Sequence, residues 1–307
     1  MQGLSTLWEQ WNKQGIPVRK NVPLAPFTTF HIGGPIALFA EPQSTEQLTT
    51  VLRHLRQREV FSFVLGRGSN VLFPDEPIDG VAIRTCCLDR VAVMGHTVTA
   101  QSGATLASIA RAAQKATLTG FEFAHGIPGT LGGALFMNAG AYGGEMSQVV
   151  TSVLVYDSNR DETRRLAREQ MEFSYRHSIL QAHPEWTVLE ATMTLEAGDA
   201  RAIDAQMQDY MQKRRDKQPL EYPSAGSTFK RPVGAFAGQL IEESGLKGYA
   251  IGGAMVSPKH AGFIVNTGGA TARDVLLLIE HVRAVVLRDH GVLLEPEVQI
   301  LARHLAK

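Results

Sequence analysis

Hydrophobic and polar residues follow one another along the first third of the chain in an order that predicts strands around a helix. The stretch "ALFAEPQSTEQLTTVLRHLRQREVFSFVLGRGSN" predicts a strand, then a helix opened by Ser44 with Gln47 in capping-box register, then an apolar strand ending in "GRGSN". Short strands are expected next at "VAIRTC", "RVAVMG" and "TVTAQSG", before a helix from about Thr105 to Thr117. The pattern indicates a βαβ unit with a glycine turn, followed by a mixed α+β lobe.

The second half of the chain also predicts both strands and helices, with a domain boundary between them. "SVLVYDSN" and "WTVLEATMTLEA" predict strands, and "ARAIDAQMQDYMQKRRDKQP" predicts a polar-faced helix that Pro219 ends, which makes it the best domain boundary. Beyond it, "AFAGQLIEESG" predicts a short helix with Gly245 as its C-cap. Thr271 is expected to cap a long helix with one buried stripe, formed by Val275, Leu278, Ile279, Val282 and Val286.

Composition narrows the class of protein. Apolar content is near the globular average, and 30 acidic side chains balance 30 basic ones in 307 residues, enough for two or three lobes. Nothing in this balance favours nucleic acid or a membrane surface as a partner. The start lacks the features of a secretory signal, and no apolar stretch approaches the length of a spanning helix. We therefore expect a cytoplasmic protein without membrane insertion.

The first residues predict a short helix, and the two cysteines predict neither a disulfide nor a metal site. The apolar positions of the start fit one face of a short helix and are Leu4, Leu7, Trp8 and Trp11. Cys86 and Cys87 are adjacent, a spacing that strains a mutual disulfide and provides no metal site, so we expect reduced strand residues. Pairs with the spacing His-x-x-His or Cys-x-x-Cys are absent from the sequence, and a catalytic metal is not expected.

The stretch "AHGIPGTLGGALFMNAGAYGGE" (124–145) holds seven glycines and almost no charge. Each glycine loses more conformational entropy on ordering than any other residue, so the stretch must offer something that side chains would obstruct. Close packing of a helix is one explanation. With Pro128 and Asn138 interleaved, we favour a ligand that touches the backbone.

A second glycine segment, "LGRGSN" (65–70), lies where a strand is followed by a turn. Exposed amides with a serine and an asparagine suit phosphate oxygens, although such a segment alone is more often a tight turn. It is not a dinucleotide fingerprint, because G-x-G-x-x-G fails at Val71, and no G-x-x-x-x-G-K-[ST] occurs in the sequence. Two backbone-presenting segments nevertheless occur in one half of the chain.

Three further segments carry candidate chemistry. In "FSYRHS", Arg176 stands among aromatic residues and is a candidate to grip a carboxylate, with a solvated surface charge as the alternative. In "SAGSTFKRP", Ser227 follows a glycine, and a structural turn serine is the default interpretation. In "LLEPEVQIL", Glu295 and Glu297 lie on one side of a predicted strand, where one of them is either buried with a shifted pKa or solvated at an edge.

Together these segments resemble the UDP-N-acetylenolpyruvoylglucosamine reductase family. The resemblance covers nearly the whole chain and rests on seven motifs in the family's order, namely "PLAPFTTFHIGG", "LGRGSNVLFPD", "GIPGTLGGALFMNAGAYGGE", "FSYRHS", "AGSTFKRP", "GLKGYAIGGAMVSPKHAGFIVN" and "LEPEV". Each motif alone is weak, whereas the ordered set is specific. The chain resembles the shorter of the family's two types, since it has no obvious inserted tyrosine-bearing loop.

The resemblance implies an α+β fold of the vanillyl-alcohol-oxidase type that holds FAD noncovalently. It implies one FAD-binding subdomain at 1–85, a second at 86–200 and a substrate-binding domain at 201–307, and it allows the last strand to return to the FAD domain. Cofactor contacts are then expected from Leu65, Gly66, Arg67, Gly68, Ser69, Asn70, Gly126, Ile127, Pro128, Gly129, Thr130, Gly132, Gly133, Ala134 and Asn138.

The resemblance also implies the reaction. NADPH would give a hydride to the flavin, and UDP-N-acetylglucosamine enolpyruvate would then be reduced, with Arg176 and Glu297 holding negative charge and Ser227 donating the proton. Glu297 is preferred to Glu295 because it directly precedes Val298 in the family's "EV" pairing. Substrate contacts are expected from Tyr142, Tyr175, Lys230 and Lys259.

Small departures from the family pattern and two alternatives stay open. His31 stands where a longer cation is common, Arg67 where glycine is frequent, and Arg231 where asparagine is expected. One alternative is another FAD-dependent oxidoreductase of the same superfamily, which would not need Arg176, Ser227 and Glu297 together. The other is a nucleotide-binding module without turnover, which the glycine loops alone would permit.

Overall fold

A computed structural model describes residues 2–301 of the chain. It divides into two compact units, each made of separate stretches of sequence. Unit 1 comprises the chain up to Asn21, Ala37–Arg67 and Asp79–Arg214. Unit 2 comprises Val22–Ile36, Gly68–Ile78 and the chain from Arg215 onward.

Helices and strands alternate along the whole described chain, as an α+β protein requires. The helices are α1 (Gln2–Lys13), α2 (Thr45–Gln57), α3 (Leu106–Lys115), α4 (Leu131–Phe136), α5 (Met146–Val149), α6 (Ala200–Lys217), α7 (Ala237–Glu243) and α8 (Ala272–His290). The strands of the first half are β1 (Val18–Pro23), β2 (Pro35–Ala40), β3 (Ser62–Leu65), β4 (Val71–Leu72), β5 (Ile78–Arg84), β6 (Val91–Met94), β7 (Thr97–Gln101), β8 (Leu118–Thr119) and β9 (Gly140–Ala141). Those of the second half are β10 (Gly144–Glu145), β11 (Val150–Asp157), β12 (Glu162–Ala167), β13 (Trp186–Thr194), β14 (Glu196–Ala197), β15 (Ala250–Ile251), β16 (Ala254–Val256), β17 (Ile264–Asn266) and β18 (Gln299–Ile300).

Unit 1 is built on two sheets. A four-stranded sheet has the order β1-β2-β5-β3, in which β3 and β5 run parallel, and α2 connects β2 to β3. A five-stranded sheet has the order β12-β11-β13-β7-β6, and every neighbouring pair in it is antiparallel. Each sheet packs its own helices over a separate hydrophobic cluster, α1 and α2 on the first and α3 and α4 on the second. The predicted mixed α+β lobe is confirmed.

Local capping fixes where the helices of unit 1 begin. Ser44 Oγ accepts a hydrogen bond from the amide of Gln47 (3.2 Å), and Thr105 Oγ1 accepts one from the amide of Ser108 (3.0 Å). A side-chain oxygen that satisfies such a first-turn amide stabilises a helix start by about 1 kcal/mol. The side chain of Gln47 turns back to the amide of Gln43 rather than to Ser44, so the predicted capping register is only half formed.

Unit 2 places α7 and α8 against the three-stranded sheet β15-β16-β17. The stripe predicted for α8 is fully buried, since each of its five apolar residues from Val275 to Val286 has 0% exposure. Thr271 Oγ1 accepts from the Asp274 amide and the Asp274 carboxylate accepts from the Thr271 amide, both at 3.0 Å, which completes a capping box. Gly291 ends the helix in the left-handed conformation, with φ 69°.

The cysteines and the segment boundaries differ in part from expectation. Cys86 and Cys87 are free, as predicted, but they lie in the turn after β5, which ends at Arg84, so their predicted place in a strand is wrong. Helix α6 spans the predicted boundary, and the division between units falls within it, after Arg214. No helix among residues 2–301 is long and apolar enough to cross a membrane.

The start of α8 is held by a carboxylate from a distant part of unit 2. Asp75 Oδ1 accepts from the Ala272 amide (2.8 Å) and Oδ2 from the Arg273 amide (3.2 Å). These amides have no partner within the helix, and a negative charge there also complements the helix dipole.

We expect Asp75→Ala to lower the free energy of unfolding by about 1–2 kcal/mol, because it removes both acceptors from the helix start. Scanning calorimetry of the variant measures the loss as a lower unfolding temperature. Asp289→Ala is the matched control, since this carboxylate pairs with the adjacent Arg288 on the surface at the other end of α8 and contributes little. Equal losses in the two variants would contradict this assignment.

Candidate functional site

The segment from Gly129 to Gly132 in unit 1 is tied down by backbone hydrogen bonds. The Leu106 amide donates to Gly129 O (3.1 Å), the Leu131 amide to Ala104 O (2.9 Å) and the Gly132 amide to Ser102 O (2.8 Å). An isolated antiparallel bridge joins Thr105 and Thr130. The glycine-rich loop from Gly126 to Ala134, called the glycine ledge below, is therefore fixed in its middle to the loop that precedes α3.

Gly66 approaches this ledge so closely that no side chain would fit. A Cβ on Gly66 would lie 2.1 Å from Thr130 Oγ1, far inside van der Waals contact. Thr130 is itself 2% exposed, so it has no room to retreat. The end of β3 and the start of α4 thus meet through a glycine that close packing within unit 1 requires, and the predicted cofactor contact of Gly66 stays a prediction.

Two observations at or beside the ledge leave room for a ligand. Gly133 is exposed, and a Cβ there would meet only Thr130 Oγ1, at 4.0 Å, so packing does not require this glycine. Ser102 Oγ is buried without a hydrogen-bond partner within residues 2–301, and a buried orphan hydroxyl is costly. A ligand that carries hydrogen-bonding groups and lies against backbone fits both observations.

The other glycines of this stretch have a different cause. Gly140 and Gly144 lie in the β9–β10 hairpin, where a Cβ on Gly140 would be 2.5 Å from Gly144 O and one on Gly144 would be 2.5 Å from the ring of Phe123. These two positions need glycine for close packing within the protein. The packing explanation thus holds for the end of the stretch, while the ligand explanation stays open for its beginning.

The "LGRGSN" segment contributes Leu65 to Arg67 to unit 1 and Gly68 to Asn70 to unit 2. Gly68 is buried with φ +62°, and a Cβ there would lie 2.4 Å from Phe27 O. The Thr29 amide donates to Gly68 O (3.1 Å). Gly68 is thus required by the backbone of unit 2, which the tight-turn explanation anticipates.

Arg176 occupies a strained position in unit 1. Ser174 and His177 exchange two backbone hydrogen bonds of 3.1 Å, so Tyr175 and Arg176 form a two-residue turn. Arg176 has φ +56°, a left-handed conformation that non-glycine residues adopt rarely. Its guanidinium carbon lies 5.2 Å from the centre of the Tyr175 ring, and Tyr175 is 51% exposed. The cation is therefore presented near the surface on an aromatic support.

Asn138 lies between the glycine ledge and this turn. It is fully buried, its Nδ2 donates to Ser174 O (3.0 Å), and its Oδ1 accepts from the Ser147 amide (2.9 Å). These bonds give its side chain a role within the protein. The predicted cofactor contact of Asn138 stays a prediction.

Ser227 and Glu297 are brought together in unit 2. The Glu297 amide donates to Thr228 O (2.8 Å), and Phe229 pairs with Pro296 in an antiparallel bridge. Ser227 follows Gly226, which has φ +78°. Asn70 joins the same group because its Nδ2 donates to Glu297 O (3.2 Å), and β18 then runs parallel to β4.

The second glutamate of this segment has a different environment. Glu295 lies on the surface, with its side chain 69% exposed, and pairs with Lys230 at 2.5 Å. Glu297 is half-buried beside Ser227 and Asn70. These surroundings favour Glu297 over Glu295 as the candidate carboxylate of the site. The surface ion pair with Lys230 accounts for the presence of Glu295.

The predicted substrate residues are held by internal contacts. Lys259 Nζ, in unit 2, donates to Arg215 O (2.6 Å) and lies 3.9 Å from Glu221. Tyr142, in unit 1, has φ +55° and stacks on Tyr210 with ring centres 4.3 Å apart, and its hydroxyl donates to Tyr210 O (3.0 Å). Burial raises the pKa of Tyr142, which keeps the hydroxyl protonated.

Arg214 is a cation that the sequence pattern did not single out. Its Cδ would lie 3.4 Å from a Cβ on Gly126, so its side chain lies against the first glycine of the loop. Burial lowers the pKa of its guanidinium, the Tyr142 hydroxyl opposes this effect, and no carboxylate within residues 2–301 pairs with it. A desolvated guanidinium of this kind is suited to bind an anion.

Metal-binding side chains do not cluster in the described part of the chain. Within residues 2–301 there is no group of three or more His, Cys, Asp or Glu residues that could hold an ion.

Comparison with known proteins assigns families to two parts of the chain. Residues 36–166 match the family described as FAD binding domain. Residues 218–301 match the family described as UDP-N-acetylenolpyruvoylglucosamine reductase, C-terminal domain. The first match contains the glycine ledge and Gly66, and the second contains Ser227 and Glu297.

Relatives that match nearly the whole chain share one description. A UDP-N-acetylenolpyruvoylglucosamine reductase from Caldanaerobacter subterraneus subsp. tengcongensis is 51% identical over 281 residues, covering 92% of each chain. One from Clostridium perfringens is 47% identical over 303 residues, covering 99% of this chain and 98% of its own. The solved reductase from Thermus caldophilus superposes with a TM-score of 0.79 at 34% identity, covering 93% of this chain and 99% of that one. These matches confirm the predicted α+β fold with an FAD-binding domain.

We expect Gly133→Ala to fold normally but to lose FAD. Alanine suits the helix better than glycine by up to about 1 kcal/mol, and the protein leaves room for the methyl group. FAD affinity should fall about tenfold or more, because a clash of about 1.4 kcal/mol is already a factor of ten. Titration of the apoprotein, followed by flavin fluorescence, measures this.

Gly3→Ala is the matched control, since Gly3 also lies in a helix and has no atom within 4 Å of an added Cβ. It should keep full FAD affinity. Unchanged affinity in Gly133→Ala as well would remove the ledge from the cofactor site.

Proposed function

Because the chain belongs to the UDP-N-acetylenolpyruvoylglucosamine reductase family, we propose that it reduces UDP-N-acetylglucosamine enolpyruvate to UDP-N-acetylmuramate with NADPH. The reaction is a step of bacterial peptidoglycan precursor synthesis. The match to such reductases along nearly the whole chain carries this proposal. A cytoplasmic location follows for an enzyme that uses NADPH and a nucleotide sugar, and it is part of the same proposal.

Bound noncovalently, FAD would supply the redox chemistry for hydride transfer between NADPH and the substrate. Within unit 1, the backbone of the glycine ledge from Gly126 to Ala134 and the segment from Leu65 to Arg67 would hold it. The contacts expected from Gly68, Ser69 and Asn70, which belong to unit 2, stay predictions. The orphan Ser102 hydroxyl and the open Gly133 face support this assignment. The ledge and Gly66 lie within unit 1, so the fit rests on contacts inside one compact body.

Three side chains would each have one role in the reduction of the substrate. When hydride adds to the terminal vinyl carbon, negative charge grows on the neighbouring carbon and its carboxylate, and that carbon then takes a proton. Arg176 would hold the carboxylate, since a guanidinium binds one with two parallel hydrogen bonds. Glu297 would steady the same charge as a protonated acid or through a hydrogen bond. Ser227 would donate the proton that completes the lactyl ether.

The nucleotide part of the substrate requires cationic and hydrogen-bonding groups. Tyr142, Tyr175, Lys230 and Lys259 are the proposed contacts. To these we add Arg214, whose desolvated guanidinium against Gly126 lacks a carboxylate partner in the described chain. A diphosphate satisfies such a cation, and both FAD and the UDP sugar carry one.

The three-part division of the chain is kept as part of the proposal. The two sheets of unit 1 support subdomains at 1–85 and 86–200, but Val22–Ile36 and Gly68–Ile78 fall in unit 2, which the substrate domain at 201–307 overlaps from Arg215 onward. β18 pairs with β4, so the last strand joins a segment from the first half of the sequence.

The two halves of the proposed reaction separate the role of Ser227. Transfer of hydride from NADPH needs no proton donor at the substrate carbon, so Ser227→Ala should keep it. Reoxidation by the enolpyruvyl sugar should slow by about 10² to 10⁴, the usual contribution of a general acid. Stopped-flow absorbance in the flavin band measures each half.

Ser224→Ala, a serine in the same loop, should leave both halves unchanged. Near-normal reoxidation in Ser227→Ala would remove Ser227 from the mechanism. Loss of the first half as well would instead indicate damage to the flavin site.

The role of Arg214 is tested with Arg214→Met, which keeps the stem and removes the charge. We expect affinity for FAD or for UDP to fall about 10- to 100-fold, since a charge-assisted hydrogen bond contributes about 1.5–3 kcal/mol. Titration of apoprotein with FAD and of FAD-loaded protein with UDP decides which diphosphate is bound.

Lys213→Met on the same helix is the control, because Lys213 pairs with Asp209 on the surface. If both affinities stay at their original values in Arg214→Met, Arg214 is not an anion ligand.

A further inference from the structure

The turn that carries Arg176 does not hold its shape through its own sequence. Arg176 has φ +56°, at a position of a two-residue turn where glycine or asparagine is usual. A non-glycine residue persists in such a conformation only when its surroundings fix it. Something outside the turn must therefore hold it.

Two side-chain amides donate hydrogen bonds to backbone carbonyl groups at the turn. Gln181 Nε2 donates one hydrogen bond to Arg176 O (2.9 Å) and a second to Phe136 O (3.0 Å). Asn138 Nδ2 donates to Ser174 O (3.0 Å). The carbonyl groups of Ser174 and Arg176 are thus bonded to side-chain amides that lie outside the turn.

The same amides connect the turn to the glycine ledge. Phe136 is the last residue of α4, and Asn138 follows it by two positions. The helix has only six residues, so its ends are about 9 Å apart, and it begins next to Thr130 on the ledge. The short helix α4 therefore adjoins the proposed cofactor loop at its start and is connected to the Arg176 turn at its end.

We propose that Gln181 and Asn138 are positioning residues that hold Arg176 in its left-handed turn at a fixed distance from the ledge. The inference rests on the proposed function, in which Arg176 binds the substrate carboxylate. Gln181 is the residue to test, because it is exposed and its replacement leaves the core intact, whereas Asn138 is fully buried.

Gln181→Leu removes, at similar size, both donated hydrogen bonds and the contact of Gln181 Oε1 with His177 Nδ1 (3.3 Å), while Ser178 Oγ still donates to Phe136 O (3.0 Å). We expect reoxidation by the enolpyruvyl sugar to slow about 5- to 50-fold, the range for two lost hydrogen bonds. Reduction by NADPH should stay within about twofold, as should FAD affinity. Gln181→Lys should restore most of the rate, because an ammonium group can donate to both carbonyls.

A binding experiment gives a readout that does not depend on turnover. UDP-N-acetylmuramate carries the carboxylate, and UDP-N-acetylglucosamine lacks it. Calorimetry on the FAD-loaded protein should show that Gln181→Leu weakens the first ligand about 5- to 50-fold and leaves the second unchanged. Gln43→Leu is the matched control, since Gln43 Nε2 donates to Glu41 O at 2.9 Å on another exposed loop. It should change neither ligand.

The double variant separates this inference from the function on which it rests. If Gln181 acts through Arg176, Gln181→Leu should have no further effect in an Arg176→Ala background. If Arg176→Ala itself leaves reoxidation and UDP-N-acetylmuramate binding unchanged, the proposed role of Arg176 fails. If Arg176→Ala is defective while Gln181→Leu matches the parent protein, or if Gln181→Leu weakens both ligands equally, the positioning role is wrong.

Discussion

The contact between Gly66 and Thr130 is the constraint on which the proposed cofactor site depends. It brings the end of a parallel strand against the start of a short helix at a distance that only a glycine allows. Because Thr130 is buried and its neighbours are bonded to the loop before α3, neither side can yield. The result is a surface made of backbone that keeps its shape without a ligand. Such preorganisation lowers the cost of binding, since little has to be ordered when the ligand arrives.

The parts of the fold that could be predicted are those that local chemistry decides. Ser44, Thr105 and Thr271 open helices because a side-chain oxygen three residues before an amide can satisfy it whatever the rest of the chain does. The buried stripe of α8 follows from spacing alone in the same way. The cysteines failed as strand residues because an apolar run does not specify where pairing stops, and β5 ends at Arg84.

The site could be predicted only in part, since the reason why a residue type stands at a position depends on what it contacts in the folded protein. Gly133 and Gly144 look alike in sequence, yet one faces open space and the other the ring of Phe123. Glu295 and Glu297 share a strand face in the pattern, and the fold separates them by the exposure of Glu295 and its ion pair with Lys230. Arg214 lies among the charges of a polar helix, where a desolvated guanidinium cannot be told from a solvated one. The left-handed conformation of Arg176 has no sequence signature at all.

These contacts suggest why a flexible side chain can serve as a fixed cation. A long arginine loses much rotamer entropy when it binds, so its backbone has to be placed before the side chain can be used well. Here the backbone is held in an unfavourable conformation by bonds to the end of α4, and Tyr175 supports the guanidinium. The energy stored in the turn is offset by hydrogen bonds that lead back to the glycine ledge. The geometry of the loop that would hold the cofactor and that of the cation that would hold the substrate are therefore set by one six-residue helix.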